Sequence, residues 1–580
     1  MQTERQRKMN KTFYAAAVTT NLQCTAGRYE ELLETTNSHN NLWAWRGDRC
    51  CGQAAILSLD KDISSVSIEM TEFTRNDGEK LPSDCAKCVF VKETKAFVGN
   101  GKKDDKSRES FPDVLWSDEP VSMKANSVQS VWINFDIPEE TKSGAYTGRL
   151  VIKNNDSGEK QEIPYSVQVL ALTMPKPEEY FFDIELWQYP YRVAQYYGVE
   201  PFSEKHFEIL KDHMLLYKKM GGHAITASIV EEPWNGQTYG EYPSMIKWTK
   251  KNKGNFEFDF TDFDKWVSFC VALGIADKIV CYSLIPWGNK ITYFDEKKDK
   301  TKSIAPKPGK RKYKKVWGQF LKALMKHTEE KGWFDRIYIG IDERARMKKA
   351  YDLIDSVKNS EGKAFKKAAA MDHFGSKFFP IIDRMNSISV GSEPLKGAID
   401  DYKTLCIRRG DTPDLKTTVY TCVGHFPNSF TYSMPAESYW TIFFAASLGA
   451  NGFLRWAYDA WVENPLEDTT HVSFESGDCF LVYPDLPDAE NPQIHMSVRL
   501  EKLWMGIRDI NKLLYLSRQS PELCEKAHRM LKSVKYNYGQ TKKKIAVADE
   551  KTRREMPIDM DCIRNSLFTL STDFLEFMSC

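Results

Sequence analysis

Ile337-Tyr338-Ile339-Gly340-Ile341-Asp342-Glu343 is an apolar run that ends directly in two carboxylates. Its composition reads as a β-strand, and a strand with a purely structural role rarely needs such an ending. Upstream, residues 313–331 have the spacing of an amphipathic helix. The alternation extends in both directions. Strand signals fall at 181–187, 223–230, 278–284, 336–342, 367–373, 387–391, 417–424 and 452–458, and helical stretches such as 203–219, 261–273, 313–331 and 435–448 lie between several of them. Eight strands with intervening helices predict a (β/α)8 TIM barrel. A doubly wound sheet is the competing topology, but no Gly-x-Gly-x-x-Gly follows the first strand and no phosphate loop occurs.

Ahead of the barrel, residues 20–177 carry short β-rich runs such as Ala54-Ala55-Ile56-Leu57 and Ser130-Val131-Trp132-Ile133-Asn134-Phe135, separated by Gly, Pro, Asn and Asp. That pattern predicts an N-terminal β-sandwich closed off by Pro175 and Pro177. The expected organisation is α/β overall: a sandwich over 20–177, a catalytic barrel over 178–540 and an unassigned tail over 541–580, its charged part read as a surface segment.

The chain has 580 residues, which excludes a single small domain. Lys and Arg number 81 against 80 Asp and Glu, so no global field argues for nucleic acid or an anionic membrane as partner. No run approaches the roughly 20 apolar residues of a membrane span. Residues 13–18 are too short and too weakly apolar for a signal-peptide core. Thirteen Cys without regular spacing do not read as a disulfide framework, so the compartment stays open. Cys85-Ala86-Lys87-Cys88 has metal-ligand spacing but no second pair, which favours structural thiols over zinc.

In a barrel the reacting groups lie at the C-terminal strand ends. Carboxylates at those positions are Glu185, Glu231, Glu232, Asp342, Glu343, Asp372, Glu393 and Asp459, accompanied by Trp187, Trp234, Tyr282, Trp287, Trp456, Tyr458 and Trp461. Aromatic faces beside carboxylates suit a sugar ring, although any of these rings also serves as rim packing. A glycosidase needs an acid for the leaving oxygen and a second group for the oxocarbenium-like centre. Asp342 and Glu343 supply both if the substrate's own 2-acetamido oxygen is the nucleophile. As a bare tripeptide, Asp342-Glu343-Arg344 reads equally as a solvated helix cap. A two-carboxylate enzyme would need a partner on another strand, and only Glu393 offers itself; strand seven ends in His425-Phe426-Pro427 without a carboxylate.

These residues resemble glycoside hydrolase family 123, β-N-acetylgalactosaminidases with an N-terminal β-sandwich and a (β/α)8 barrel. The resemblance runs through Trp43-Ala44-Trp45-Arg46-Gly47-Asp48-Arg49, Tyr146-Thr147-Gly148, Phe258-Asp259-Phe260-Thr261-Asp262-Phe263-Asp264, Cys281-Tyr282-Ser283-Leu284-Ile285-Pro286-Trp287, Gly452-Phe453-Leu454-Arg455-Trp456-Ala457-Tyr458 and Asn464-Pro465-Leu466-Glu467-Asp468-Thr469. Its most specific part is Asp342-Glu343-Arg344. The resemblance implies a retaining, exo-acting enzyme that releases β-linked N-acetylgalactosamine from a glycan or glycoconjugate without metal or cofactor. Asp342 would orient the acetamido group, and Glu343, its pKa raised, would protonate the glycosidic oxygen. Tyr282, Trp234, Trp456 and Tyr458 would contact sugar, with His223 and Arg344 in support. A secreted or periplasmic location follows from the resemblance, although no signal peptide is visible.

Two rivals remain at this level: a non-catalytic glycan-binding protein, and a retaining glycosidase using Glu343 with Glu393. Residues 297–315 hold ten Lys and Arg, which read as a solvated loop or as an attraction for an acidic glycan such as a sulfated galactosamine polymer.

Overall fold

The computed structural model describes residues 11–579 apart from 36, 38, 100–107, 252–253, 411, 413 and 543–544. The N-terminal strands are β1 (Phe13–Val18), β2 (Asn41–Arg46), β3 (Arg49–Ser58), β4 (Ile63–Met70), β5 (Ala86–Phe97), β6 (Arg108–Ser117), β7 (Val121–Met123), β8 (Val128–Asp136), β9 (Gly144–Asn154) and β10 (Lys160–Thr173). Of these, β4, β9 and β10 alternate inward and outward residues, as a sheet with one covered face requires, whereas β2 and β3 are buried on both faces. Two five-stranded sheets result, ordered β1-β3-β8-β5-β6 and β2-β10-β9-β4-β7. Pairing is antiparallel except between β10 and β2. Val131, Ile133 and Phe135 meet Leu150, Ile152 and Val167 in the core between them. Cys85 and Cys88 are buried in that core as free thiols.

The barrel follows. Its eight strands are β11 (Asp183–Leu186), β12 (Ala224–Ser228), β15 (Lys278–Tyr282), β18 (Ile337–Asp342), β19 (Lys366–Met371), β20 (Ser387–Gly391), β21 (Lys416–Tyr420) and β22 (Gly452–Arg455). The intervening numbers belong to a small excursion, β13 (Lys247–Lys250), β14 (Phe256–Asp259), β16 (Ile291–Asp295) and β17 (Lys300–Ile304). The eight are ordered β11-β22-β21-β20-β19-β18-β15-β12, and neighbours run parallel throughout. Between β11 and β12 a single bridge, Ile184 with Gly222, leaves the barrel nearly closed.

The excursion is the departure from the expected barrel. Its strands form a four-stranded sheet, β14-β13-β16-β17, built from the loops after β12 and β15 and therefore standing on the C-terminal side of the barrel.

The tail left unassigned in the sequence is structured. After the hairpin Gln540–Lys542 and Ile545–Ala548 comes a helix over Glu550–Ser579 that contains Pro557. Met556, Met560, Ile563, Leu567, Leu570 and Phe574 recur at helical spacing, and all are buried. This stripe packs against the sandwich and the helix Val498–Ser517. Phe568 lies 5.6 Å from the Trp43 ring, Trp45 Nε1 donates to Ser571 Oγ at 3.2 Å, and Arg564 pairs with Asp509 at 3.3 Å. Among the described residues no helix is long and apolar enough to cross a membrane.

Candidate active site

Strand β18 places Asp342 at the C-terminal mouth of the barrel, and Gly340, two residues earlier, explains how the mouth is floored. A Cβ on Gly340 would come within 2.8 Å of the Tyr282 ring, so the glycine lets that ring lie across the strand. Tyr282 in turn packs at a tilt against Trp187, with ring centres 4.4 Å apart, and sits 5.6 Å from Trp234. The three rings form an aromatic platform beneath the strand ends.

Successive side chains of a regular strand point to opposite faces. Glu343 escapes that rule because it takes a left-handed conformation, φ 49°, while its amide still bonds to Ala370 O of β19 at 3.1 Å. Both carboxylates therefore line one cavity of about 150 Å³, together with Trp187, Trp234, Trp287, Tyr420, Trp456, Phe474 and Asp478. A left-handed residue without a glycine costs on the order of 1 kcal/mol or more, and such strain gathers at functional sites.

The two acids have different partners. Trp287 Nε1 donates to Asp342 Oδ2 at 3.2 Å, and the Trp234 indole donates to the same carboxylate. Tyr420, the last residue of β21, donates its hydroxyl to Glu343 Oε1. Enclosure by the cavity walls, followed by the charge of Glu343, pushes Asp342 up to about 7 against the pull of the two indoles; Asp372 adds to the rise. Enclosure also raises Glu343, with Tyr420 opposing and Asp372 reinforcing. Near neutrality the pair thus holds a proton that two isolated carboxylates would have lost.

The remaining expected residues divide. Trp234 and Trp456 line the cavity. Trp456 is fixed through its Nε1, which donates to Asp478 Oδ2 at 3.2 Å. Asp478 is itself fully buried and paired with Arg455 at 2.8 Å. Arg344 lies with its guanidinium 5.1 Å from the Trp287 ring centre, behind the indole that holds Asp342. Tyr282 underlies the cavity and is 1% exposed, so it supports the wall and does not line it.

Tyr282 is thus corrected from a sugar contact to a support, and two further expectations are corrected. Tyr458 lies past the end of β22, fully buried, with its hydroxyl donating to His213 O at 2.9 Å. His223 precedes β12, at the N-terminal end of the barrel and so away from the mouth; its ring faces Gly221 O at 3.3 Å and Asp183 at 3.9 Å.

Other rim acids hold the structure together. Glu185 pairs with Lys278 at 2.5 Å, Asp459 caps Tyr189 N at 2.7 Å, and Glu232 accepts from Gly236 N and Tyr242 N. Glu393 pairs with Lys396 at 2.6 Å and accepts from Phe426 N at 3.2 Å, outside the cavity lining. Tyr420, Gln237, Cys422, Phe474 and Asp478 line the cavity without having been singled out in the sequence. Among the described residues, no carboxylate besides Asp342, Glu343 and Asp478 lines it.

A parallel barrel with an acid pair in an aromatic cavity at its mouth defines a carbohydrate-cleaving hydrolase of the barrel type. The chain belongs to glycoside hydrolase family 123. Residues 187–516 match the glycoside hydrolase 123 catalytic domain, and residues 18–154 match the glycoside hydrolase 123 N-terminal domain. A family 123 glycoside hydrolase from Clostridium perfringens, described in a structural analysis of glycolipid glycan hydrolysis, is 36% identical with a TM-score of 0.94; the match covers 98% of this chain and 100% of that one. Other likenesses are partial and carry no argument: the PapD-like domain of human CEP192 (8% identity, 24% of this chain, 84% of that one, TM-score 0.14) and the CooA pilin subunit of enterotoxigenic Escherichia coli (12%, 23%, 92%, 0.14). No curated protein matches the chain.

Proposed function

We propose that the protein is a retaining, exo-acting β-N-acetylgalactosaminidase that uses the substrate's 2-acetamido group as nucleophile. The observation that carries this reading is the pairing of Asp342 and Glu343 in one cavity whose third carboxylate, Asp478, has both oxygens engaged by Arg455 and Trp456. A double-displacement enzyme requires an opposing free carboxylate. Glu393 is held by Lys396 and the Phe426 amide, so the sugar's own acetamido oxygen is the remaining candidate.

In this cycle Asp342, steadied by two indole N–H groups, accepts from the acetamido N–H and directs its carbonyl oxygen at the anomeric carbon. Glu343 gives its proton to the departing glycosidic oxygen as the carbon–oxygen bond breaks and an oxazolinium ring closes. The Glu343 carboxylate then takes a proton from water, whose oxygen attacks the anomeric carbon and reopens the ring. Two inversions leave the configuration unchanged. A cavity of about 150 Å³ is small beside the roughly 300–1,000 Å³ of sites for larger ligands, in keeping with one terminal sugar. The Clostridium perfringens relative, described for glycolipid glycan hydrolysis, supports a lipid-borne glycan as the natural substrate.

The test is hydrolysis of aryl β-N-acetylgalactosaminide, its gluco epimer and the plain β-galactoside by wild type, Asp342→Asn, Glu343→Gln and Glu393→Gln. We expect cleavage of the acetamido galactoside alone, lost in the first two variants and retained in Glu393→Gln. Equal cleavage of the plain galactoside, or its loss in Glu393→Gln, would overturn the reading.

A further inference from the structure

The excursion sheet and the helix after it carry a dense cationic surface that nothing in the cavity uses. Residues 295–315 hold ten Lys and Arg against three carboxylates, in a chain whose net charge is +1. Two of those carboxylates are already engaged: Asp295 by Lys302 at 2.9 Å and Lys250 at 3.5 Å, and Glu296 by Lys251. Lys297, Lys298, Lys300, Lys307, Lys310, Arg311, Lys312, Lys314 and Lys315 are all exposed, and none forms an ion pair among the described residues.

Two structural explanations cover part of this surface. Lysines guard free sheet edges, which accounts for Lys300 and Lys302 on the edge strand β17. They do not account for the helix Arg311–Glu330, whose N-cap is Lys310 and whose first turn contains no acid. Cations at a helix N-terminus oppose the macrodipole, so this placement is unfavourable for the helix itself. Position adds to the argument. The cations fall between the loop carrying Trp287 and the start of the following helix, so they rim the same end of the barrel as the cavity.

What they face is decided by the groove next to them. That groove, of about 1250 Å³, is lined by Glu200, Glu231, Glu232, Glu241 and Asp262 against only Lys247 and Lys265. A sulfated polymer laid in it would meet like charge. The nine cations instead lie on strand β17, its hairpin turn, the connection that follows and a helix end, outside the groove lining.

We propose that this surface adsorbs the enzyme onto an anionic lipid bilayer, with the cavity mouth at the same end. The idea rests on the lipid-borne substrate proposed above: without a spanning helix among the described residues, peripheral adsorption by Lys and Arg near anionic headgroups would bring the enzyme to such a glycan.

The test is co-sedimentation of the full chain with phosphatidylcholine vesicles with and without phosphatidylserine, across a salt series. It is repeated with Lys297→Gln/Lys298→Gln/Lys300→Gln and with Lys310→Gln/Arg311→Gln/Lys312→Gln. We expect wild type to partition onto the phosphatidylserine vesicles and to be released by salt, and each triple variant to bind at least about tenfold more weakly while its aryl hydrolysis is unchanged. Equal partition onto both vesicle types, salt-insensitive binding, variants that bind as wild type, or retention by chondroitin sulfate without vesicle binding would each overturn the proposal. Vesicle binding is read without turnover, so failure of the hydrolysis experiment and failure of adsorption are separate results. If a variant loses aryl hydrolysis through misfolding, the wild-type salt series still decides.

Discussion

Replacing Asp342 by Asn probes whether the carboxylate sits where its anion is disfavoured. Its pKa rises from 3.8 to about 7, first by enclosure and then by the neighbouring Glu343. At about 1.36 kcal/mol per pH unit, that rise corresponds to on the order of 4 kcal/mol, an upper figure because the two acids titrate together. The sign follows from proton uptake: between pH 4 and 7 the folded protein binds the proton more tightly than the unfolded chain does, so stability falls as pH rises through this range. Asn carries no such penalty. It has a mismatch of its own, since a donor NH2 replaces one of the two carboxylate oxygens that face the indole N–H groups of Trp287 and Trp234, at about 1–3 kcal/mol. Because the mismatch is independent of pH, it cancels when the variant is compared with itself at two pH values. We therefore expect the melting temperature of Asp342→Asn minus that of wild type to climb by about 3 °C between pH 4 and pH 8, at roughly 0.8 °C per kcal/mol for a chain of 580 residues. Activity on the aryl acetamido galactoside should fall about 100- to 1,000-fold, as when a charge-stabilising group is removed. A difference in melting temperature that is flat or declining with pH would refute the reasoning.

Tyr420→Phe removes the donor that holds Glu343 down, so the alkaline limb of the kcat/KM profile should move to higher pH; no movement, or a downward one, would count against the pairing. Gly340→Ala drives a methyl into the Tyr282 ring and should destabilise by about 1–3 kcal/mol in denaturant titration while raising KM, because Tyr282 supports Trp187 and Trp234; adding Tyr282→Leu should recover part of the stability. Asp113→Ala leaves the buried Arg499 without its carboxylate and should lose about 3–5 kcal/mol, measured the same way, with Asp113→Asn between it and wild type.

The barrel was legible where a strand buried on both faces writes itself as an apolar run, as 336–342 does for β18, and where β-branched residues sit between turn signals, as in Ser387-Ile388-Ser389-Val390-Gly391 for β20. The strand ends were less legible, and the site depends on them. Reading 417–424 as one strand put its mouth at His425, where no carboxylate was found, whereas β21 ends at Tyr420 and so delivers the hydroxyl that meets Glu343. The same overshoot at 452–458 brought Tyr458 to the rim, although β22 stops at Arg455 and the chain folds back on His213. His223 fails for a simpler reason: it begins its strand and so belongs to the opposite end. Asp478 and Phe474 lie some twenty residues beyond β22 in a loop without periodicity, and only the fold returns them to the cavity. The excursion strands are four or five residues long and partly polar, too short for periodicity to register.

The return of that loop shows what the sandwich contributes to the site. Strand β5 pairs with it directly: Lys95 N donates to Glu467 O at 2.9 Å, Thr469 N donates to Lys95 O at 2.8 Å, and Ser476 Oγ donates to Phe97 O at 2.9 Å. From β6, Asp113 reaches Arg499 at 2.8 Å and Tyr483 at 2.5 Å in full burial. Arg499 then donates to the carbonyls of Gly477, just before Asp478, and Phe480, two residues after it. Gly477 has φ +75°, and a Cβ there would meet Thr431 Oγ1 at 2.2 Å, so the loop has room for no other residue at that turn. Buried charge of this kind is tolerated only when each member is paired, which makes the arrangement sensitive to the loss of any one of them. The wall of the cavity that holds Trp456 is consequently fixed from the sandwich through Asp113, Arg499 and Asp478, while the wall that holds the acid pair is fixed by the barrel strands themselves. Since the two walls answer to different halves of the chain, the seat of the sugar depends on how the sandwich docks against the barrel, and the tail helix packed at that junction helps set the docking.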